Sequence, residues 1–166
     1  MAKPVDKIEF WKERIDTAVK PHYSVYVAGD GLWNAINKVH KEIMDKEIPK
    51  DAMVLDAGCA YGRWANNFEH YVGVDFSPDF IAEAKKLHPK KDFTVANLKS
   101  LPFRDKEFDW AFCVSIKNMI VANLGLDVWQ QMEKELKRVS KRVLLLEYGN
   151  ELPRQGVNGA DKYEIL

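Results

Sequence analysis

From Met53 onward, short apolar runs alternate with stretches whose apolar residues recur at helical spacing. This alternation limits the fold more than any other feature, because strand–helix–strand units in succession build a parallel sheet with right-handed crossovers. The apolar runs are short enough to be buried strands, and they cover residues 53–55, 71–74, 93–96, 108–114 and 143–146. The sequence therefore predicts an α/β fold with a doubly wound, mainly parallel sheet of about five strands.

Two helices between these strands carry recognisable start and stop signals. Ser77 is placed to cap a helix that begins at Pro78 and ends before Pro89. A later helix has apolar residues at positions 126, 129, 136 and 139. We expect Asp127 to open that helix, with Gln130 as its capping-box partner.

The first 49 residues have a different pattern from the rest. Two amphipathic helices are predicted there, one over residues 8–19 and one that follows a candidate cap at Asp30. An aromatic segment that contains Tyr23 and Tyr26 joins them. We interpret the chain as one domain, 1–166, with a helical cap (1–49), a ligand-binding core (50–148) and a tail (149–166).

A glycine-containing turn follows the first strand and is expected to lead into a helix. It begins at Asp56 and includes Gly58 and Gly62. The second strand ends in Asp75, nineteen positions after Asp56, which is about the spacing at which an acid meets the ribose hydroxyls of a nucleotide-like cofactor. Because ligands of such sheets bind at the carboxyl ends of the strands, these residues indicate a nucleoside cofactor.

Two common nucleotide-binding patterns are absent from the sequence. A dinucleotide fingerprint anchored at Gly58 requires glycines where the chain has Ala60 and Arg63. A phosphate-binding P-loop requires a Gly-Lys-Ser/Thr ending, which the sequence lacks. NAD, FAD and nucleoside triphosphates are therefore poor candidates, and a nucleoside without phosphate remains.

The ordered motifs resemble those of the class I S-adenosylmethionine-dependent methyltransferases. Asp56-x-Gly58-x-x-x-Gly62 is similar to the first motif of that family, and residues 72–77 resemble its second-strand acidic motif. Residues 95–103 and 108–109 are similar to its adenine-contacting and central-strand segments. The resemblance covers residues 53–147 and implies a Rossmann-like fold, with S-adenosylmethionine as the methyl donor and S-adenosylhomocysteine as the product.

The resemblance also implies a set of cofactor-binding residues. In it, Asp56 fixes the glycine turn, Asp75 accepts hydrogen bonds from the ribose, and Asn97 with the backbone of Leu98 contacts adenine. The whole set is Asp56, Gly58, Ala60, Gly62, Asp75, Phe76, Asn97, Leu98, Ser115 and Ile116, of which Ser115 and Ile116 would flank the methionine part. The chain departs from the family at two positions: Ala60 replaces a glycine, and Asn97 replaces an acid.

The resembling family transfers a methyl group that the sulfonium already activates, so alignment and water exclusion matter most and no single catalytic residue is expected. Tyr23, Tyr26, Lys117 and Asn118 are the candidates for contact with the acceptor. We expect methyl transfer to an oxygen or nitrogen nucleophile of a small molecule. A protein side-chain acceptor, or a non-catalytic S-adenosylmethionine-binding subunit or sensor, stays open as an alternative.

Charge and composition limit the classes of partner that this chain is expected to bind. Lys plus Arg and Asp plus Glu number 25 each, so zero net charge gives no general attraction to nucleic acid or anionic membranes. No apolar stretch is long enough for a membrane span. Cys59 and Cys113 lack metal-ligand spacing and fit reduced thiols of a cytoplasmic protein, and the four histidines show no ligand spacing, so no metal is expected.

The end of the chain raises a question about the sheet edge. The resembling family adds two strands after the fifth, whereas only 19 residues follow Glu147, so the sheet is expected to be truncated. An apolar fifth strand at the edge would invite pairing with another chain. Either residues 163–166 return as a short strand, or a second subunit pairs in a homodimer, and the dimer is slightly favoured.

Overall fold

The computed structural model describes residues 30–147 and 163–166, with side chains from residue 37 onward. The helix predicted over residues 8–19 lies outside the described residues. The elements are α1 (Asp30–Glu47), β1 (Met53–Ala57), a 3₁₀ turn (Ala65–Asn67), β2 (His70–Asp75), α2 (Pro78–Leu87), β3 (Asp92–Val95), β4 (Phe108–Val114), α3 (Lys117–Leu124), α4 (Leu126–Val139), β5 (Ser140–Leu146) and β6 (Tyr163–Ile165).

The strands form one sheet in the order β3-β2-β1-β4-β5-β6. Strands β1 to β5 are parallel, and β6 is antiparallel to β5. The chain direction across the sheet reverses between β1 and β4, which places the switch point beside the end of β1. The predicted doubly wound, mainly parallel sheet is confirmed.

Apolar side chains on both faces of the sheet are buried. Val54 and Leu144 belong to a cluster that α1, the 3₁₀ turn and α2 cover, and Met44 of α1 is fully buried in it. Leu55 and Leu145, the next residues along the same strands, belong to a second cluster under α3 and α4. Because neighbouring strand residues point to opposite faces, continuous apolar runs are what a sheet covered on both sides requires.

The signals at α2 are confirmed, whereas those at α4 are wrong. Ser77 caps α2, since its Oγ accepts a hydrogen bond of 3.3 Å from the amide of Phe80, and Pro78 is the first helical residue. The cap of α4 is Gly125, whose φ of 105° suits glycine, and no side chain caps this helix. Asp127 lies inside its first turn.

Helix α3 has no counterpart in the sequence prediction. Only Ile120 is buried among its residues, so the helix has no apolar stripe that periodicity would detect. Lys117 and Asn118 therefore begin a helix.

The helix expected after the glycine turn is also wrong. The structure has only the 3₁₀ turn between β1 and β2, where residues 58–69 make the crossover. Trp64, Ala65 and Phe68 of this segment are buried in the same cluster as Ile43 and Met44 of α1. Helix α1 thus provides much of the cover that a crossover helix would give this face.

The predicted truncation after the fifth strand is corrected by β6. Val143 and Leu166 exchange two backbone hydrogen bonds of 3.0 and 2.9 Å, and Leu144–Leu146 of β5 pair with β6. The chain's own tail therefore covers the part of the β5 edge for which a second subunit was slightly favoured.

Candidate active site

The glycine turn is attached to the end of β2. The amides of Gly58 and Cys59 both donate to the carbonyl of Val74, at 2.8 and 2.9 Å. Gly58 and Gly62 have φ angles of 82° and 73°, which L side chains rarely adopt. A Cβ on Gly58 would lie 2.7 Å from Cδ1 of Ile116, so a side chain at this position would have to displace the end of Ile116.

Ala60 adopts a φ of 47° in the same turn. This left-handed conformation costs an alanine about 1 kcal/mol or more, whereas glycine adopts it readily. The backbone of this chain therefore explains why the resembling family has glycine here. The amide of Ala60 donates to Oδ2 of Asp75 at 3.0 Å, which fixes the turn in this conformation.

Asp75 joins the glycine turn to the start of α2. Its Oδ1 accepts from the amide of Ser77 at 3.0 Å, while Oδ2 accepts from Ala60. The side chain is only 6% exposed, and burial raises the pKa of Asp75 while the backbone amides act in the opposite direction. The amide of Phe76 is a third donor to this carboxylate. A carboxylate has about four acceptor positions, so one remains for a ribose hydroxyl.

Two exposed apolar side chains lie near Asp75. Phe76 follows it and is 44% exposed, and Val95, its partner in register on β3, is 47% exposed. Such surface beside a ribose-binding acid suits a flat base. Phe76 was among the predicted site residues, and Val95 begins the predicted adenine-contacting segment, but only the β2–β3 register places Val95 opposite Asp75.

The predicted adenine-contacting residues follow the end of β3. Asn97 is exposed, and its Oδ1 accepts from the amide of Lys99 at 3.0 Å. Leu98 is half-buried and packs against the second core cluster. The carbonyl oxygen of Asn97 thus already stabilises a local turn, and its contact with adenine stays a prediction.

Asp56 lies at the end of β1 and is 2% exposed. The hydroxyl of Tyr71 donates to its Oδ2 at 2.7 Å. Burial is the largest influence on the pKa of Asp56 and raises it to about 7, against the effects of Tyr71 and of the Arg63 charge. Sequence reasoning missed Tyr71, although a polar residue at the start of a buried strand was a signal.

Ser115 and Ile116 follow β4 at the switch point. Ser115 has a φ of 60°, and its amide donates to the carbonyl of Leu146 at 2.7 Å. Its Oγ is buried and has no hydrogen-bond partner among the described residues. A strained residue with an unsatisfied hydroxyl at this edge is what a ligand-binding position would show.

Glu147, which was not among the predicted site residues, holds the start of α3. Its two oxygens accept from the amides of Lys117 and Asn118 at 2.7 and 3.2 Å. Burial raises the pKa of Glu147, and the amides oppose this. The signal was available, since Glu147 is the third acid that directly ends an apolar strand, after Asp56 and Asp75.

The predicted acceptor-side residues are only partly brought together. The Nζ of Lys117 lies 2.7 Å from Oε2 of Glu164, so its ammonium is ion-paired with β6. The side chain of Asn118 is exposed in the first turn of α3. Tyr23 and Tyr26 lie outside the described residues.

The described residues include neither a metal-ligand cluster nor a membrane-spanning helix. No group of three His, Cys, Asp or Glu side chains within residues 37–147 and 163–166 is arranged to hold a metal ion. No helix in the described part of the chain has both the length and the apolar character to cross a bilayer.

Known proteins are similar to this chain in sequence and in fold. An uncharacterized protein of Methanocaldococcus jannaschii, MJ1252, is 40% identical over 73 residues, which are 44% of this chain and 29% of that protein. The chain spans less than half the length of each of the four curated relatives it matches.

Solved structures share the fold at lower identity. The PH0226 protein of Pyrococcus horikoshii superposes with a TM-score of 0.62 at 24% identity, covering 79% of this chain and 67% of that one. A SAM-dependent methyltransferase of Methanosarcina mazei gives a TM-score of 0.57 at 24% identity, covering 66% and 58%.

A family model, described as a methyltransferase domain, matches residues 55–146. The match begins within β1, ends with β5, and includes Asp56, Gly58, Asp75, Asn97 and Ser115. S-adenosylmethionine is the cofactor of the methyltransferases to which this domain is related. The chain belongs to the methyltransferase domain family.

Proposed function

We propose that this protein transfers the methyl group of S-adenosylmethionine to an oxygen or nitrogen nucleophile of a small molecule. One observation supports this most. The glycine turn, Asp75 and the unsatisfied hydroxyl of Ser115 end three strands, β1, β2 and β4, which are adjacent at the switch point of the sheet. Ligands of doubly wound sheets bind at this place.

The residues present fit the cofactor. Asp75 offers a buried carboxylate to the ribose, and Phe76 and Val95 offer apolar surface to the base. The glycine turn places backbone without side chains at the carboxyl edge of the sheet. At the same edge, the buried hydroxyl of Ser115 has no hydrogen-bond partner among the described residues. When bound, S-adenosylmethionine supplies a methyl group on a positively charged sulfur.

The chain's own contribution to the reaction is then alignment and exclusion of water. Asp75 holds the turn against α2, and Glu147 holds the first turn of α3 beside Ser115. Because the glycine turn and the first turn of α3 are both held in place, the methyl donor and the acceptor would bind in a fixed relative orientation. Tyr23, Tyr26, Lys117 and Asn118 remain our candidates for contact with the acceptor.

Charge supports a small acceptor. The net charge of zero offers no general attraction to a polyanion.

The free thiols of Cys59 and Cys113 are both buried and support a reducing, cytoplasmic setting.

The test uses the full chain and a methyl donor labelled on the methyl group. A panel of small alcohols, phenols, carboxylic acids and amines is incubated with it, next to a panel of unmodified proteins. Label on a small acceptor, lost in Asp75→Ala and kept in the exposed control Asp79→Asn, supports the proposal. Label only on proteins contradicts the acceptor class, and cofactor binding without turnover in either panel favours the non-catalytic alternative.

A further inference from the structure

The two acids that end β1 and β2 accept hydrogen bonds from different numbers and kinds of donor. Asp75 accepts from the backbone amides of Ala60, Phe76 and Ser77. Asp56 accepts from the hydroxyl of Tyr71, which is 3% exposed. Fixed amide dipoles compensate the charge of Asp75 in the free protein, whereas Asp56 has much weaker compensation.

The surroundings of Asp56 make its negative charge costly. Burial raises its pKa to about 7, and the nearby charge of Asp75 acts in the same direction. Arg63 opposes them, but its guanidinium donates to Oδ1 of Asn37 at 2.9 Å and lies 4.8 Å from the ring centre of Trp64. The titratable groups that interact with Asp56 are Tyr71, Arg63, Asp75, Cys59 and Cys113.

Asp56 lies near the end of β1, two residues before Gly58, the first residue of the glycine turn with a positive φ. A buried, poorly compensated carboxylate is stabilised by a cation that binds nearby. The methyl donor carries a positive sulfonium, whereas its product carries a neutral thioether, and the two otherwise present the same groups. A buried carboxylate within reach of the sulfonium charge would therefore distinguish donor from product.

We propose that Asp56, held in place by the positioning residue Tyr71, is a specificity-determining residue that makes this protein bind the cationic methyl donor more tightly than its neutral product. The proposal rests on the proposed function, because it needs S-adenosylmethionine as the ligand. It adds a role in product release: once the methyl group has left, the favourable charge interaction with Asp56 is gone.

The affinity for the methyl donor depends on pH because ligand binding and the protonation of Asp56 are coupled. A positive ligand favours ionised Asp56, so it lowers the pKa of Asp56 in the complex and its binding releases a proton. Donor affinity then rises as the pH rises through about 7. If the pKa falls by one unit on binding, affinity increases by about fivefold between pH 6 and pH 8. The neutral thioether gives a smaller increase.

The experiment is titration calorimetry of the full chain with S-adenosylmethionine and with S-adenosylhomocysteine, between pH 6 and pH 8, in buffers of different ionisation enthalpy. The ratio of the two affinities should increase with pH by severalfold, with proton release on donor binding. Asp56→Asn should remove this increase, and any dependence that remains comes from the ligands themselves. Asp92→Asn, an exposed aspartate on β3, is the matched control and should behave like the parent.

Tyr71→Phe separates positioning from simple packing. Loss of its hydroxyl should raise the pKa of Asp56 further, so the rise in donor affinity should shift to higher pH and the donor-to-product ratio at pH 7 should fall. A merely structural role would weaken both ligands equally at every pH. Tyr163→Phe, which loses a hydroxyl bonded to Glu47 and lies on β6 at the other edge of the sheet, is the control.

The outcomes are distinguishable. If neither ligand binds at any pH, the proposed function fails. If both bind with a ratio that is independent of pH, or that is the same in Asp56→Asn as in the parent, the inference is wrong while the proposed function stands.

Discussion

At the scale of single residues, the site depends on backbone that ordinary side chains tolerate poorly. Ala60 and Ser115 both have positive φ, at the two sides of the switch point. Each is fixed by its own backbone amide, Ala60 to Asp75 and Ser115 to Leu146. Strain of this kind is maintained only where surrounding contacts fix the backbone, and it concentrates at ligand-binding positions.

Ala60→Gly tests this strain. Glycine removes the left-handed penalty but increases the entropy of the unfolded chain, so we expect an unchanged or higher stability, by up to about 1 kcal/mol, with cofactor affinity retained. Chemical denaturation measures it. Ala65→Gly, at a buried position, is the control and should lose about 1 kcal/mol or more. A loss at Ala60 as large as at Ala65 would contradict the account.

Asp75→Ala should reduce the affinity for S-adenosylmethionine at least about tenfold. The change removes charge-assisted hydrogen bonds worth roughly 1.5–3 kcal/mol each, and it also frees the amide of Ala60 that fixes the turn. Calorimetry with the exposed control Asp79→Asn measures the effect. Parent-like affinity in Asp75→Ala would mean that the ribose assignment is wrong.

Asp56→Asn should change how stability depends on pH. An aspartate in the unfolded chain titrates near pH 4 and folded Asp56 near 7, so between these values the folded protein holds more protons and Asp56 weakens folding as the pH rises. The stability advantage of Asp56→Asn should therefore grow from about pH 4 to pH 7 and then level off. Glu147 and His40, which are not among the groups that shift the pKa of Asp56, titrate in both proteins and cancel in the difference. Denaturant unfolding across this range measures it, and a constant difference would contradict the raised pKa of Asp56.

Residue-scale features differ in how far the sequence predicts them. The places of Asp56, Gly58 and Asp75 follow from apolar runs that end in acids and glycine, which are local signals. The Tyr71 hydroxyl on Asp56 and Val95 opposite Asp75 depend on strand register, which is a property of paired strands.

At the scale of elements, β6 connects three parts of the molecule. Its side chains alternate between the faces of the sheet, with Tyr163 bonded to Glu47 of α1 and Glu164 paired with Lys117 of α3. Its backbone covers β5. This short strand therefore contacts the helix that begins beside Ser115.

Glu164→Pro should disrupt this strand, because proline removes the backbone N–H and the ion pair together. We expect lower stability and association of the molecule through the uncovered β5 edge, which light scattering measures. Glu164→Gln loses only the ion pair, in which the Glu164 side chain is 51% exposed, so it should change stability by less than about 1 kcal/mol. Equal behaviour of the two variants would contradict the role of the strand.

The sequence predicted elements well where one strong local pattern existed. The signals at Ser77 and Pro78 identified α2, because capping is a short-range interaction. It failed at α3, which has no apolar stripe, and at Gly125, where a glycine conformation outcompeted Asp127 as a cap. Strand β6 was only one of two options, since nothing local decides between the tail and a second subunit as partner of β5.

At the scale of the whole molecule, α1 belongs with the core. His40, Met44 and Ile48 are almost completely buried, in the same face that the 3₁₀ turn and α2 cover. The predicted division at residue 49 therefore cuts through a packed layer. Removing residues 1–49 should unfold the protein, because it exposes this face of the sheet, and circular dichroism of the truncated chain would show this.

The central claim is that the carboxyl edge of this sheet binds S-adenosylmethionine through the glycine turn and Asp75. Calorimetric titration of the full chain with S-adenosylmethionine, and separately with NAD, tests it most directly. We expect micromolar binding of S-adenosylmethionine, reduced in Asp75→Ala, and no heat of binding with NAD. Tight NAD binding without a response to S-adenosylmethionine would contradict it.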